Sequence, residues 1–170
     1  MNADELRALQ APLKSKYRED PHARLVTLHA EGLLDQAQLA CRVETSRALV
    51  EAGLHPASGG NGFQACSGDM LLEALVACAG VTLNAVATAL GITVKGGRVL
   101  AEGDLDFRGT LAVSKEAPVG FRSIRVTFRL DTDAAAENLD KLLATTERYC
   151  VVLQTIKKGV QAEAKIVKKR

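Results

Sequence analysis

The chain has 170 residues, which fits one folded domain over residues 1–170. Hydrophobic residues make up 47% and charged residues 25%, a balance that excludes a disordered chain. The net charge of +2, from 22 basic and 20 acidic residues, is too balanced to indicate a nucleic-acid-binding protein.

The first part of the chain predicts a helix followed by a β-hairpin. Leucines spaced three and four residues apart favour a helix over residues 3–19, so residues 1–20 should form an N-terminal helical extension. Residues 23–31 and 36–45 contain alternating runs that can pair through a turn at Gly32–Gln36. The polar N-terminus has no apolar signal region, so we expect a cytoplasmic protein.

A long apolar stretch over residues 68–90 is the most distinctive segment. It follows a glycine-rich loop; Ser67 or Gly68 can cap its start, and Gly91 can end it. Its length would just span a bilayer, but an internal glutamate and asparagine favour a central helix of a folded protein, and we expect no membrane partner. One stripe of small residues should let a neighbouring element pack closely: Ala74, Cys78, Thr82, Ala85 and Ala89.

The rest of the chain predicts two strands, two helices and a last strand. The strands cover about 93–107 and 120–131, and a helix follows over 133–148, with a second helical segment after Cys150 that ends at Gly159. Four residues of the helix over 133–148 should point inward: Ala134, Leu139, Leu142 and Leu143. The last strand rests on alternating apolar residues: Val160, Ala162, Ala164 and Ile166. This order indicates an α+β fold with antiparallel strands and one central helix.

The cysteines are Cys41, Cys66, Cys78 and Cys150. In the cytoplasm they should be reduced rather than form a disulfide framework. They show no C-x-x-C spacing and the histidines are far from them in sequence, so we expect no metal site. A free cysteine is often a small buried hydrophobe, and Cys66, near the start of the long helix, is on electrostatic grounds a rival nucleophile to Cys78. The positions of the four cysteines in the sequence do not by themselves identify a reactive one.

The segment from Cys66 to Cys78 resembles the signature of the OsmC/Ohr family, the osmotically inducible and organic-hydroperoxide-resistance proteins. That signature is an acidic residue, a helix rich in leucine and alanine, and a cysteine nine or ten positions on, and here Asp69 stands nine positions before Cys78. The family's second mark is a cysteine near the start of a later helix, which matches Tyr149-Cys150-Val151-Val152. The resemblance covers the chain from about residue 23.

The chain departs from the family pattern at three positions. Ser67 stands where a proline usually precedes the acidic residue, Asp69 replaces a glutamate, and Val151 replaces the proline after the second cysteine. These departures indicate a divergent branch of the family.

The resemblance implies an OsmC-like α+β fold, in which antiparallel sheets wrap around long buried central helices in an intertwined homodimer. It also implies a cysteine-based peroxidase that reduces organic hydroperoxides, with hydrogen peroxide as a second substrate. Cys78 would form a sulfenate that Cys150 resolves, and an external dithiol such as a lipoyl group would recycle the pair without a bound cofactor. Asp69 would hold the arginine that activates Cys78, for which Arg47 is preferred over Arg42.

Three other interpretations stay open at this point. A non-catalytic dimer of the same fold could bind a small apolar ligand, or the dimer itself could be the whole function, with cysteines that only pack the core. A cysteine hydrolase could instead pair Cys78 with His55, although nothing in the sequence brings the two together.

Overall fold

The computed structural model describes residues 2–5, 7, 8, 10 and 11, the two strands at 32–35 and 40–44, and all residues from 49 to 168. At the N-terminus, residues 3–5, 7, 8, 10 and 11 are helical, in agreement with the helix predicted over residues 3–19. The remainder of that helix lies outside the described residues, as does the strand predicted over 23–31.

Four short strands form the first sheet, in the order β1 to β4: β1 (Gly32–Asp35), β2 (Ala40–Glu44), β3 (Leu49–Gly53) and β4 (Ala65–Cys66). The first three strands pair antiparallel, and β3 pairs parallel with β4. The turn predicted at Gly32–Gln36 is therefore wrong, because Gly32–Asp35 pairs with β2 as a strand. Pairing with a neighbouring strand outweighs the turn preference of glycine and aspartate here.

Helix α1 (Ser67–Leu90) confirms the predicted central helix. Its N-cap is Cys66, one residue earlier than predicted, since Cys66 is still in the extended conformation of β4. Gly91 ends the helix in the left-handed conformation, with φ of 69°, and its N–H bonds to the last-turn carbonyls of Ala87 and Thr88. Glycine adopts this conformation without the steric cost of a Cβ atom.

The second sheet confirms the two predicted long strands. β5 (Gly96–Leu105) pairs antiparallel with β6 (Phe121–Asp131), and the short helix α2 (Phe107–Thr110) lies in the connection between them. Along β6, half-buried Ile124, Val126, Phe128 and Leu130 alternate with exposed residues. One face of this sheet therefore packs on the helices, and the other is exposed.

Two helices follow the sheet and are separated by a single residue. α3 (Ala136–Tyr149) ends and α4 (Val151–Lys158) begins on either side of Cys150, and Gly159 ends α4. Leu142 is buried as predicted, but Leu143 is 44% exposed, so its predicted inward position is wrong. Leu143 is rotated about 100° around the helix from Leu142. The next inward position is instead taken by Thr146, which is 1% exposed.

The prediction of a last strand from alternating residues between 160 and 166 is wrong for the residues that the structure describes. These residues form no strand, and the apolar side chains at both ends are exposed: Val160 by 69% and Ile166 by 100%. A strand requires the edge of another strand for its backbone hydrogen bonds, and the described residues offer this segment no such pairing.

The core lies along one face of α1. Near the middle of the helix, Leu75 and Ala79 cluster with Cys150, and nearer its end Leu83 and Ala87 cluster with Leu142. Cys150, at the end of α3, thus contacts an earlier part of α1 than Leu142 does. The two helices therefore run antiparallel. The sheet of β5 and β6 packs on the same clusters through its half-buried face.

The opposite face of α1 is exposed and mostly apolar, with Glu73 as a charged residue on it. Val81 is 72% exposed and Leu71 41% exposed, and Ala74, Ala77 and Asn84 lie on the same side. α1 is also the one helix among the described residues that is long and apolar enough to cross a membrane, with 28% of its most apolar window buried. A core helix of a folded protein meets the same length and composition criteria.

Candidate active site

The thiols of Cys78 and Cys150 lie next to each other, although 72 positions separate them in sequence. Cys150 donates its S–H to Cys78 Sγ at an S–S distance of 3.5 Å. This is a contact between two free thiols, because a disulfide bond is only about 2.05 Å long. The pair can close into a disulfide with a shift of about 1.5 Å.

Two helices bring the pair together. Cys78 sits in the middle of α1, and Cys150 is at once the last residue of α3 and the residue before α4. Its extended backbone, with φ of −71° and ψ of 106°, breaks the helix and lets α4 start beside Cys78. The sulfur of Cys78 therefore faces the N-terminus of α4.

The N-terminus of α4 supplies hydrogen-bond donors to Cys78. The backbone N–H groups of Val151 and Val152 donate to Cys78 Sγ. The first N–H groups of a helix have no acceptor within the helix and carry partial positive charge, so they favour a thiolate. Val151, which replaces the family's proline, matters here because a proline has no N–H to donate.

A side chain on α1 adds one more donor. The hydroxyl of Thr82, one helical turn after Cys78, donates to the same sulfur. Cys78 thus accepts hydrogen bonds from the Thr82 hydroxyl, the Cys150 thiol and two backbone N–H groups of α4.

These contacts shift the pKa values of the two thiols in opposite directions. Partial burial acts to raise the pKa of Cys78, but the hydrogen bonds that its sulfur accepts outweigh burial and leave that pKa lowered. Burial raises the pKa of Cys150, as does its donation to Cys78, and hydrogen bonds from the N–H groups of Leu153 and Val152 offset this only in part. A nucleophilic thiolate is therefore favoured at Cys78 and a protonated thiol at Cys150.

The difference in burial between the two thiols agrees with the difference in their pKa values. Cys78 is half-buried, whereas Cys150 is fully buried. The surrounding side chains from the sheet and from α4 are apolar: Val99, Ala101, Ile124, Val126, Val152 and Leu153. A small apolar molecule can reach Cys78 more readily than Cys150.

The structure does not bring Asp69 to the thiols within one chain. Asp69 is exposed in the first turn of α1, and nine residues place it about 13 Å along the helix from Cys78 and on the opposite side. It makes no hydrogen bond or ion pair with any described residue. Arg47 lies outside the described residues, and for Arg42 only the backbone of β2 is described.

The other cysteines and His55 stand apart from this pair. Cys66 is half-buried at the start of α1, twelve residues or about 18 Å along the helix from Cys78. Cys41 lies in β2. His55 stacks on the Phe107 ring at 5.1 Å, and its Nδ1 accepts a hydrogen bond from the Ala57 N–H, so its side chain is not paired with Cys78.

Two functional features were missed by the sequence analysis. Thr82 could have been noticed, because it stands four positions after Cys78 and therefore on the same helix face. The backbone donor of Val152 carries no sequence signal, since every residue except proline has an N–H, whereas the donor of Val151 depends on the departure from the family's proline at that position. Among the residues that the structure describes, no cluster of three or more potential metal ligands occurs.

Comparison with known proteins gives one family and several similar structures. Residues 59–165 match the model of the OsmC family, described as OsmC-like protein. An OsmC-like protein from Mycoplasma pneumoniae superposes with a TM-score of 0.65 at 16% identity, covering 79% of this chain and 89% of that one. No curated protein matches this sequence.

Two further solved structures carry functional names. An organic hydroperoxide resistance protein OsmC from Legionella pneumophila has a TM-score of 0.62 at 15% identity and covers 79% of this chain and 93% of that one. An organic hydroperoxide resistance protein from Elizabethkingia anophelis has a TM-score of 0.59 at 16% identity, with 79% and 91% covered. At these identities the likeness shows the fold alone.

Proposed function

This chain belongs to the OsmC-like family, and on that basis we propose that it is a thiol-dependent peroxidase that reduces organic hydroperoxides. The observation that carries the proposal is the 3.5 Å contact between the sulfurs of Cys78 and Cys150. The names of the Legionella and Elizabethkingia proteins support the same chemistry.

The first step is attack by Cys78 on the peroxide. The Cys78 thiolate bonds to the terminal oxygen of the hydroperoxide, and the O–O bond breaks with its electron pair going to the departing alkoxide. Cys78 becomes a sulfenic acid, oxidised by two electrons. The alkoxide takes up a proton and leaves as an alcohol. The S–H of Cys150, which already donates to the reacting sulfur, is suitably placed to supply that proton.

The second step joins the two cysteines. Cys150, now a thiolate, attacks the sulfur of the Cys78 sulfenic acid, the S–S bond forms, and the S–O bond breaks. Hydroxide leaves and is protonated to water. Formation of the disulfide protects Cys78 from further oxidation to the sulfinic acid.

Return to the dithiol form needs an external reductant. A dithiol such as a lipoyl group attacks the disulfide, forms a mixed disulfide, and then closes to its own disulfide, which leaves both protein thiols reduced. No bound cofactor takes part. The cytoplasm is the compartment in which such dithiols keep thiols reduced.

We also propose that the working unit is a homodimer in which the sheets of both copies wrap around the paired α1 helices. The exposed apolar face of α1, with Val81 72% exposed, is the surface that a second copy would cover. Asp69 would then hold the activating Arg47 near a thiol pair at the interface.

A second candidate is a dimer of the same fold that binds a small apolar ligand without catalysis. An apolar groove between β6 and α3 favours it, with Phe128, Leu139 and Leu143 among its lining residues. Thiols that stay unchanged after peroxide, together with a ligand that copurifies in this groove, would favour this candidate over the peroxidase.

Oxidation with one equivalent of an organic hydroperoxide tests the peroxidase directly. Reduced protein is mixed with cumene hydroperoxide, the remaining thiols are counted, and disulfides are mapped by mass spectrometry. We expect two thiols to be lost per chain and one bond between Cys78 and Cys150. The variant Cys66→Ser should give the same bond. A bond between other cysteines, or no loss of thiols, would disprove the proposal.

A further inference from the structure

The break between α3 and α4 changes the partner of one backbone N–H group. In an uninterrupted α-helix the N–H of Val151 would donate to the carbonyl of Glu147, four residues earlier. The extended ψ of 106° at Cys150 turns the following peptide unit away from that carbonyl. Among the described residues, the N–H of Cys150 still donates to the Thr146 carbonyl at 2.9 Å, but no bond joins the Val151 N–H to the Glu147 carbonyl. The Val151 N–H donates to Cys78 Sγ instead.

The carbonyl that loses this N–H receives a side-chain donor from α4. Gln154 Nε2 donates to the Glu147 carbonyl oxygen at 2.7 Å. Gln154 stands three positions after Val151, so its side chain lies on the same face of α4 and replaces the missing backbone donor. Both Glu147 and Gln154 are half-buried, which limits the water that could pair with this carbonyl.

Two acceptors thus compete for the Val151 N–H. The Glu147 carbonyl is its ordinary helical partner, and a carbonyl oxygen is a better acceptor than a neutral thiol sulfur. A half-buried carbonyl without a donor would favour a continuous helix through Cys150, because that helix would pair it. With the Gln154 amide bound, the carbonyl already has a donor, and the Val151 N–H gains less by returning to it.

We propose that Gln154 is a positioning residue for the nucleophile: its amide occupies the Glu147 carbonyl and so leaves the Val151 N–H directed at Cys78 Sγ. This inference rests on the proposed function, in which the Cys78 thiolate attacks the peroxide. No bond to Gln154 forms or breaks in the reaction. The role depends on the departure from the family pattern, since a proline in place of Val151 would have no N–H to direct.

A second contact between the same two helices provides the control. Lys157 Nζ lies 3.1 Å from the side-chain Oε2 of Glu147, with the two side chains 53% and 44% exposed. This ion pair joins α4 to α3 as Gln154 does, but it engages the carboxylate rather than the backbone carbonyl. An exposed pair of this kind contributes little to stability.

Few charges act on Cys78 within the chain. Burial and hydrogen bonds account for the lowered pKa of Cys78, and the titratable group in contact with its sulfur is Cys150. The charged residues of α1 are Asp69 and Glu73, and both are exposed. The sheet and α4 pack apolar side chains on this cluster, among them Val99, Ala101, Ile124, Val126, Val152 and Leu153. The pKa of Cys78 is therefore a sensitive measure of the hydrogen bonds to its sulfur.

The test replaces Gln154 by methionine, which keeps the length of the side chain and removes its donor. In the reduced protein, the chemical shift of the ¹³C-labelled Cβ of Cys78 is followed against pH, and its resonance is assigned as the one lost in Cys78→Ser. We expect Gln154→Met to raise the pKa of Cys78, with its acid dissociation constant falling roughly tenfold. Lys157→Met, the same replacement at the other contact, should leave it unchanged.

A double-mutant cycle with Val151→Pro tests whether the effect passes through the Val151 N–H. Proline fits there, because Val151 is the first residue of α4 and the preceding Cys150 is extended. Val151→Pro alone should raise the pKa of Cys78, and Gln154→Met added to it should change that pKa no further. An equal shift from Gln154→Met in both backgrounds would overturn the inference.

A purely structural amide would behave differently. Gln154→Met would then lower the unfolding temperature with the pKa of Cys78 unchanged, which would also overturn the inference. On the proposed function, Gln154→Met should form the sulfenic acid more slowly than the unmodified protein below the pKa of Cys78 and equally fast above it. If the unmodified protein forms no disulfide with peroxide, the proposed function fails, and the titration of Cys78 still decides the role of Gln154.

Discussion

Cys78→Ser is expected to lower hydroperoxide reduction by several orders of magnitude, whereas Cys150→Ser should complete one turnover and stop at the sulfenic acid. A serine hydroxyl stays protonated at neutral pH, so removal of the Cys78 thiolate removes the nucleophile. Without Cys150 the sulfenic acid has no partner. Peroxide consumption and the mass gain of one oxygen atom on the peptide that contains Cys78 measure the two effects.

The other cysteines provide the control for this pair. Cys66→Ser should keep the rate of peroxide consumption, because Cys66 lies at the far end of α1 from the reacting sulfurs. Peroxide consumption by Cys78→Ser at the rate of the unmodified protein would exclude Cys78 as the nucleophile. If Cys66 rather than Cys78 is found oxidised after peroxide treatment, the reacting thiol is Cys66, at the start of α1.

Val81→Asp is expected to convert the proposed dimer into monomers. Val81 is 72% exposed in the middle of the apolar face of α1, where we propose that the second copy packs. An unpaired carboxylate buried in that interface costs roughly 3–5 kcal/mol, which weakens association by more than about a hundredfold. Light scattering coupled to size-exclusion chromatography at micromolar concentration measures the mass in solution.

Val113→Asp is the matched control for the interface. Val113 is also 72% exposed, but it lies in the connection between β5 and β6 rather than on α1. Its replacement should leave the dimer intact. A monomeric mass for the unmodified protein, or an unchanged dimer for Val81→Asp, would show that this face of α1 is not the interface.

Local patterns of apolar and polar residues were sufficient to predict the long helix and the long strands. The apolar run over residues 68–90 and the alternation from Ile124 to Leu130 each have one period over many residues, and both elements formed as predicted. The contact between Cys78 and Cys150 is different, because no local pattern joins residues 72 positions apart. It was expected from the family resemblance, and the packing of α3 and α4 on α1 provides it.

The errors occurred where tertiary contacts decide the outcome. Thr146 is polar and Leu143 apolar, so composition alone placed the leucine inward, while the position of α3 against α1 buries the threonine. The small-residue stripe on α1 is confirmed only in part: Cys78 packs closely against Cys150 as predicted, whereas Ala74 and Ala89 are exposed. The segment at 160–166 alternates like a strand, but no described strand pairs with it, so it forms none.

The pH dependence of the first oxidation step tests most directly whether Cys78 is held as a reactive thiolate. Because the pKa of Cys78 is lowered, its thiolate fraction at any pH below the ordinary value should exceed that of an ordinary cysteine, and it should fall as the pH drops through the lowered pKa. We expect the single-turnover rate of sulfenic acid formation to level off at a pH below the ordinary pKa of a cysteine thiol. A rate that keeps rising up to or beyond that ordinary value would contradict an activated Cys78.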